Sequence, residues 1–145
     1  MNSPMSVNDL LLKLTQLNHV LILNELEELG ITTSQLFVMR MLRHGPRTIG
    51  QIAEGLHLSY STVSGIIDRM ERDGWVERVR DRQDRRVVWI QRTEKLDTTV
   101  VHKLENIFQQ LWVDCGEEME IPAITRALEV IVAKLEKRVN EKTKG

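Results

Sequence analysis

With one cysteine, Cys115, in 145 residues, the chain can close no internal disulfide and has no paired thiols for a structural zinc. Its histidines, His19, His44, His57 and His102, never fall three or four residues apart, so no helix turn offers two of them to one metal, and no metal site is expected. The longest purely apolar run is no longer than Val20–Leu23, and Lys13 interrupts the stretch before that one; no segment is long enough to span a bilayer. The N-terminus has neither the basic start nor the small-residue cleavage site of a secretion signal, which makes the expected location cytoplasmic. There is no glycine-rich phosphate loop and no set of nucleophile, base and orienting group, so neither an enzyme nor a bound cofactor is expected.

Net charge is also scarce, at −1, but it is unevenly placed. Residues 40–92 carry +4 and the remainder −5. A basic middle between acidic ends suits a surface facing a polyanion, and equally an ordinary solvated face. The basic residues concentrate in "RVRDRQDRRVVWIQR", Arg78 to Arg92, where six arginines share fifteen residues with two aspartates and a run of β-forming residues.

Elsewhere the pattern is helical. Val7, Leu10, Leu11, Leu14, Leu17, Leu21 and Leu29 trace an apolar stripe that Gly30 ends. Thr32 with Gln35, and Thr48 with Gln51, are capping-box pairs opening helices that run through Leu42 and Leu56. "HLS" then turns the chain at His57, a residue type that tolerates positive φ, and Ser59 caps a helix closed by Asp73-Gly74. Strands are expected over 75–80 and 86–92, joined by the turn "DRQDR". Beyond Leu96 a long helix carries Val100, Leu104, Ile107, Leu111, Cys115 and Met119, and Pro122 opens a last one with Ile124, Leu128, Ile131, Leu135 and Val139.

Short helix, three-residue turn, second helix and hairpin make a winged helix-turn-helix. With Val63, Ile66, Ile67 and Met70 inward, the second helix shows Ser61, Thr62, Ser64, Gly65, Asp68, Arg69 and Arg72 on its outer face. Hydroxyls in the first turns suit base edges and phosphates, and the later arginines suit the DNA backbone. A mid-helix glycine costs roughly 1 kcal/mol relative to alanine; Gly65 either permits close approach to DNA or sits on a merely solvated face. Strands of about five residues reach some 16 Å at roughly 3.3 Å per residue, enough to carry Arg82, Arg85 and Arg86 into a neighbouring groove, where arginine favours a narrow minor groove. Asp84, two residues before Arg86, is placed to hold that guanidinium. The candidate DNA-binding set is therefore Ser59, Ser61, Thr62, Ser64, Gly65, Asp68, Arg69, Arg72, Arg82, Asp84, Arg85 and Arg86.

The segments "ITTSQLFVMRML", "TIGQIAEGLHLSYSTVSGIIDRMERDGWVERVRD" and "DRQDRR" resemble the MarR regulators of bacteria, and the likeness extends over essentially the whole length. It implies a mainly α fold with a small β-hairpin wing: a winged helix-turn-helix lobe over 31–95, and dimerisation helices over 5–30 and 96–141 of one domain. It also implies a homodimer acting on double-stranded DNA as a transcriptional regulator, usually a repressor, released by a small molecule or by oxidation. The sequence departs from the family pattern at Gly65, where arginine is frequent, at His57, where glycine is common, and at "RTEKL", which replaces "LTEKG".

Independently of that likeness, the terminal helices carry more apolar surface than one small core can cover. A second copy acting on an inverted-repeat operator would cover it; a different protein would too, making the chain an adaptor whose winged helix binds protein. Cys115 lies in an apolar stripe, where a free cysteine is usually a small hydrophobe rather than a redox sensor. Phe108 and Trp112 stand at helical spacing, as core residues do and as the lining of an aromatic-ligand pocket would.

Overall fold

In the computed structural model, residues 5–116 and 119–143 are described. The chain divides into two compact units, residues 1–104 and 105–145.

The first unit opens with α1, Val7–Glu27, capped by Ser6: its side chain accepts from the Asp9 amide, and the Asp9 carboxylate accepts in return from the Ser6 amide. Within the chain only Ile22 and Leu26 of this helix are buried. Val7, Leu10, Leu14 and Leu17 of the expected stripe are exposed, with Leu12 at 72% and Val7 at 70%. Leu11, Leu21 and Leu29 of that stripe are half-buried, and the fully buried face lies at residues the periodicity did not single out.

The helices α2, Thr33–Met41, and α3, Ile49–Leu56, start at the expected capping boxes, with both reciprocal hydrogen bonds formed at Thr32/Gln35 and Thr48/Gln51. A 3₁₀ turn, Leu42–His44, ends the first of these. His57 takes the left-handed conformation at φ 54°, and among the described residues no other side-chain-bearing residue has positive φ. The chain then enters α4, Tyr60–Arg72, whose Val63, Ile66, Ile67 and Met70 are all buried. Each such side chain contributes about 1.5–3 kcal/mol through burial.

The strands are shorter than expected. The first, β1, is Val76–Arg80 and the second, β2, is Val88–Arg92; they pair antiparallel from Val76 with Arg92 to Arg80 with Val88. Trp75 is a core residue ahead of β1 at 5% exposure. Arg86 belongs to the turn, which spans residues 81–87 rather than 81–85. On its other edge β2 is clipped to the loop before α3, where Arg47 and Ile90 exchange amide-to-carbonyl bonds of 3.0 and 2.7 Å. Two strands alone are marginal; this third contact and the buried Trp75, Val76 and Ile90 fix the hairpin to the helices.

From "RTEKL", Thr93 and Lys95 build the joint that follows. Thr93 donates its hydroxyl to the Gly74 carbonyl at 2.6 Å while its oxygen accepts from the Leu96 amide. Lys95 donates to the Asp73 carbonyl at 2.6 Å and lies 4.4 Å from the centre of the Trp75 ring. The segment leaving the lobe thus starts on the turn that closes α4. It continues as one α turn, α5 (Glu94–Leu96), a π-helical segment over 97–101, and α6, His102–Cys115. Leu96 and Val100 are buried in the first unit, and Lys103 lies 3.8 Å from both Glu25 and Glu28.

The helix expected to extend through Met119 stops earlier. Gly116 adopts φ 59° after Cys115, a left-handed C-terminal stop; residues 117 and 118 lie outside the described set, and Met119 is not helical. In the second unit, α7 is Ile121–Thr143, with Pro122 in its first turn. Leu128, Leu135 and Val139 of its expected stripe are exposed, as are Val130 and Val132, while Ile124 and Ile131 are half-buried.

Candidate nucleic-acid interface

The hydroxyls at the start of α4 form a connected set. Ser59 Oγ accepts from the Thr62 amide at 3.1 Å and lies 2.7 Å from Thr62 Oγ1 and 3.2 Å from Ser61 Oγ. Capping satisfies one of the free amides of the first turn, and the same oxygen orders its two neighbours. Ser59, Ser61 and Thr62 are exposed; Ser64 and Gly65, one turn on, are half-buried. Tyr60, the first residue of α4 and 63% exposed, adds a phenol to this end of the helix. It was passed over in the sequence, although its place beside the cap was a usable signal.

Gly65 has ordinary helical φ, and a Cβ built on it would meet nothing within 4 Å. No packing inside the chain asks for glycine there, so its cost of roughly 1 kcal/mol relative to alanine has no internal compensation.

The later charges of α4 divide. Arg69 and Arg72 are exposed, the latter only 3.8 Å from Asp73, a separation at which a surface pair contributes about 0–1 kcal/mol. Asp68 is engaged differently: its Oδ1 accepts from the Arg78 guanidinium at 2.6 Å. Glu71 completes the arrangement, accepting from Arg78 Nη1 at 2.9 Å and from the Arg78 amide at 3.1 Å. Partners seven and ten residues apart across a turn leave no local sequence signal, and neither Arg78 nor Glu71 was singled out.

At the wing tip, Asp81 is the centre. Its Oδ1 accepts from the amides of Gln83 at 2.8 Å and Asp84 at 2.9 Å, and its Oδ2 from the Trp89 indole N–H at 2.8 Å. Such donation favours the ionised form: the Trp89 indole first, then the two amides, hold the Asp81 carboxyl below its usual range. Asp84 does for Arg86 what the spacing suggested, taking Nε at 3.1 Å on one oxygen and a terminal nitrogen at 3.3 Å on the other. That contact, followed by the Arg86 amide, lowers the Asp84 carboxyl as well. The Arg86 side chain is nevertheless 92% exposed. Arg82 and Arg85 are exposed beside it, and among the described residues their side chains have no ion-pair partner. The turn therefore offers one oriented and two free guanidinium groups on a frame closed by aspartate.

This frame has a testable acid limit. With its carboxyl depressed in the folded chain, Asp81 contributes order above its unfolded pKa of about 3.9, lost as pH falls through the lower folded value. The Trp89 indole N–H resonance is expected to hold its position through the ordinary carboxylate range and move only below it. An acid titration followed by NMR checks this; movement centred near pH 4 to 5 would show that the Asp81–Trp89 bond does not order the tip.

The model of the MarR family matches residues 31–88, from just before the cap of α2 to the first residue of β2. The uncharacterized HTH-type transcriptional regulator YsmB of Bacillus subtilis is 32% identical over 107 residues, 71% of this chain and 73% of that one. The HTH-type transcriptional repressor MdtR of the same organism is 34% identical over 76 residues, 52% of this chain and 49% of its own length. Among solved structures, a MarR family protein from Bacillus stearothermophilus is similar at 25% identity and a TM-score of 0.71, over 92% of this chain and 93% of that one.

Proposed function

This chain belongs to the MarR family of DNA-binding transcriptional regulators, and from that premise we propose that it is a cytoplasmic repressor: a homodimer that grips an inverted-repeat operator and lets go when a small-molecule effector binds. The observation that carries the dimer is the uncovered apolar surface of the terminal helices, with Val7, Leu12 and Leu17 on α1 and Val130, Leu135 and Val139 on α7 all exposed. Monomers rarely leave so much apolar surface open to water, and a second copy covers it with a self-complementary interface. Repression is supported by the name of MdtR.

In the proposed complex α4 lies in the major groove. Ser59, Ser61, Thr62 and Ser64 meet base edges and phosphates, Gly65 lets the helix backbone close on them, and Arg69 and Arg72 reach the flanking backbone. Asp68 borders this surface while holding Arg78. Arg82, Arg85 and Arg86 enter the adjacent groove, with Asp84 fixing the geometry of the last. The effector reading leans on the family; a concavity of about 490 Å³ between the end of α1 and the start of α2, lined by Leu23, Glu27 and Ile31 among others, is a place to look for it.

Footprinting on the DNA upstream of the protein's own coding region, with sedimentation of the complex, tests the proposal. Two protected half-sites with centres about 10 base pairs apart, bound by two chains, are expected. Protection of one asymmetric half-site by a monomer would overturn the dimer; no protected site would favour a protein-binding adaptor. A metabolite that binds the free protein more tightly than the DNA complex weakens operator binding by the same factor by which operator weakens its own.

A further inference from the structure

We infer that Arg78 is a positioning residue for DNA recognition, setting the angle between the recognition helix α4 and the wing without itself touching DNA. The inference rests on the reading of α4 and the wing as the two DNA-contacting elements. Three hydrogen bonds carry it: both terminal guanidinium nitrogens and the main-chain amide of Arg78 are committed to Asp68 and Glu71. Those carboxylates stand three positions apart on one side of α4, so a single fork spans nearly a full helical turn. Among the described residues this is the only polar link between α4 and β1. The Arg78 side chain is 28% exposed, against 92% for Arg86 at the tip.

Charge and leverage both favour a pin over a contact. Arg78 is outnumbered by its two carboxylates, leaving the cluster at −1, which repels phosphate. The tip lies several residues beyond Arg78, about 16 Å along a five-residue strand. A pivot of 10° at the base would move it by about 3 Å, the length of a hydrogen bond. Elsewhere the hairpin is held at its base through Trp75 and through Thr93 on Gly74, and the β2 strand is clipped to Arg47 at Ile90, directly opposite Arg78. Arg78 is the restraint between α4 and β1 itself.

The test measures operator affinity for the full-length protein and for the Arg78→Gln, Arg78→Lys and Glu71→Ala variants, on the footprinted operator and on copies altered under α4 or under the wing. Arg78→Gln is expected to weaken binding by about 10- to 100-fold with the salt slope unchanged, and Arg78→Lys by less, since it keeps a charge and a stem. The distinguishing readout is specificity: base changes under the wing should cost Arg78→Gln less than they cost the parent, while changes under α4 cost both alike. Glu71→Ala should also weaken binding, although it removes negative charge near DNA. Tighter binding by Glu71→Ala, or a salt slope in Arg78→Gln shallower by about 2 for the dimer, would make Arg78 a phosphate contact and overturn the inference. So would an equal loss at every operator position, which marks general destabilisation. A parent protein that binds no DNA would instead overturn the regulator reading.

Discussion

Gly65→Leu is expected to raise the melting temperature by about 2–4 °C and to remove operator binding. The two halves of that expectation have separate causes. Leucine forms helix nearly as well as alanine, so the replacement recovers most of about 1 kcal/mol, which corresponds to that rise for a chain of this size. The first atom of the new side chain meets no opposition, because a Cβ on Gly65 finds nothing within 4 Å. In the proposed complex that space belongs to DNA, where a branched side chain would hold the helix backbone away from base edges along its first half. A loss beyond a hundredfold is expected, with Gly65→Ala intermediate in affinity and at least as stable. Thermal melts beside fluorescence anisotropy on the footprinted operator check both. A variant that is more stable and binds as tightly as the parent would put Gly65 on a solvated face and move the contact surface off this part of α4.

A second large effect is expected at the wing, where its sign is the informative part. Asp84→Ala deletes a negative charge from the surface proposed to face DNA, so simple electrostatics predicts tighter binding. The ion pair with Arg86 predicts the reverse: an exposed pair contributes only about 0–1 kcal/mol to stability, and this one instead holds a 92% exposed guanidinium in a single geometry before DNA arrives. Removing the aspartate returns that ordering cost to the binding step. Weaker binding by Asp84→Ala is therefore expected, with an unchanged salt slope. Arg86→Ala should weaken binding by about tenfold and, with both wings of a dimer altered, flatten log affinity against log salt by about 2. Titrations at several salt concentrations decide it. Tighter binding by Asp84→Ala would remove its orienting role, and an unaltered slope in Arg86→Ala would pass the groove contact to Arg82 or Arg85.

The fold was most legible where the deciding interaction is local. Thr32 with Gln35, Thr48 with Gln51 and the Ser59 cap act over three residues, and each formed as read. The 3.6-residue spacing on α4 identified a face whose four apolar side chains are all buried. The box at Ser6 escaped because aspartate takes the place usually filled by a longer acid or amide. Boundaries failed where a distant partner decides them: the turn reaches Val87 because Asp81 gathers the Gln83 and Asp84 amides and the indole of Trp89, eight residues on. Nothing near residue 97 announces a π-helical segment. On α1 the periodicity could not tell a face buried within the chain from one awaiting a partner, since water repels both equally. Candidate contacts were readable as exposed, charged or hydroxylated positions. That Asp68 is already engaged was not, because its partner sits on another element.

The way Asp81 closes the wing also bears on how such a protein acquires a new target. Asp81 takes the Gln83 and Asp84 amides and the Trp89 indole, and Asp84 takes the Arg86 amide, so these hydrogen bonds of the turn use no side chain of Arg82, Gln83 or Arg85. Those three positions form a cassette: they can be randomised together while the loop that displays them stays the same. In the proposed complex, reading preference can drift there by single substitutions, each tried on an intact scaffold, whereas the same drift along α4 must pass through residues that also cap the helix or tie it to the wing.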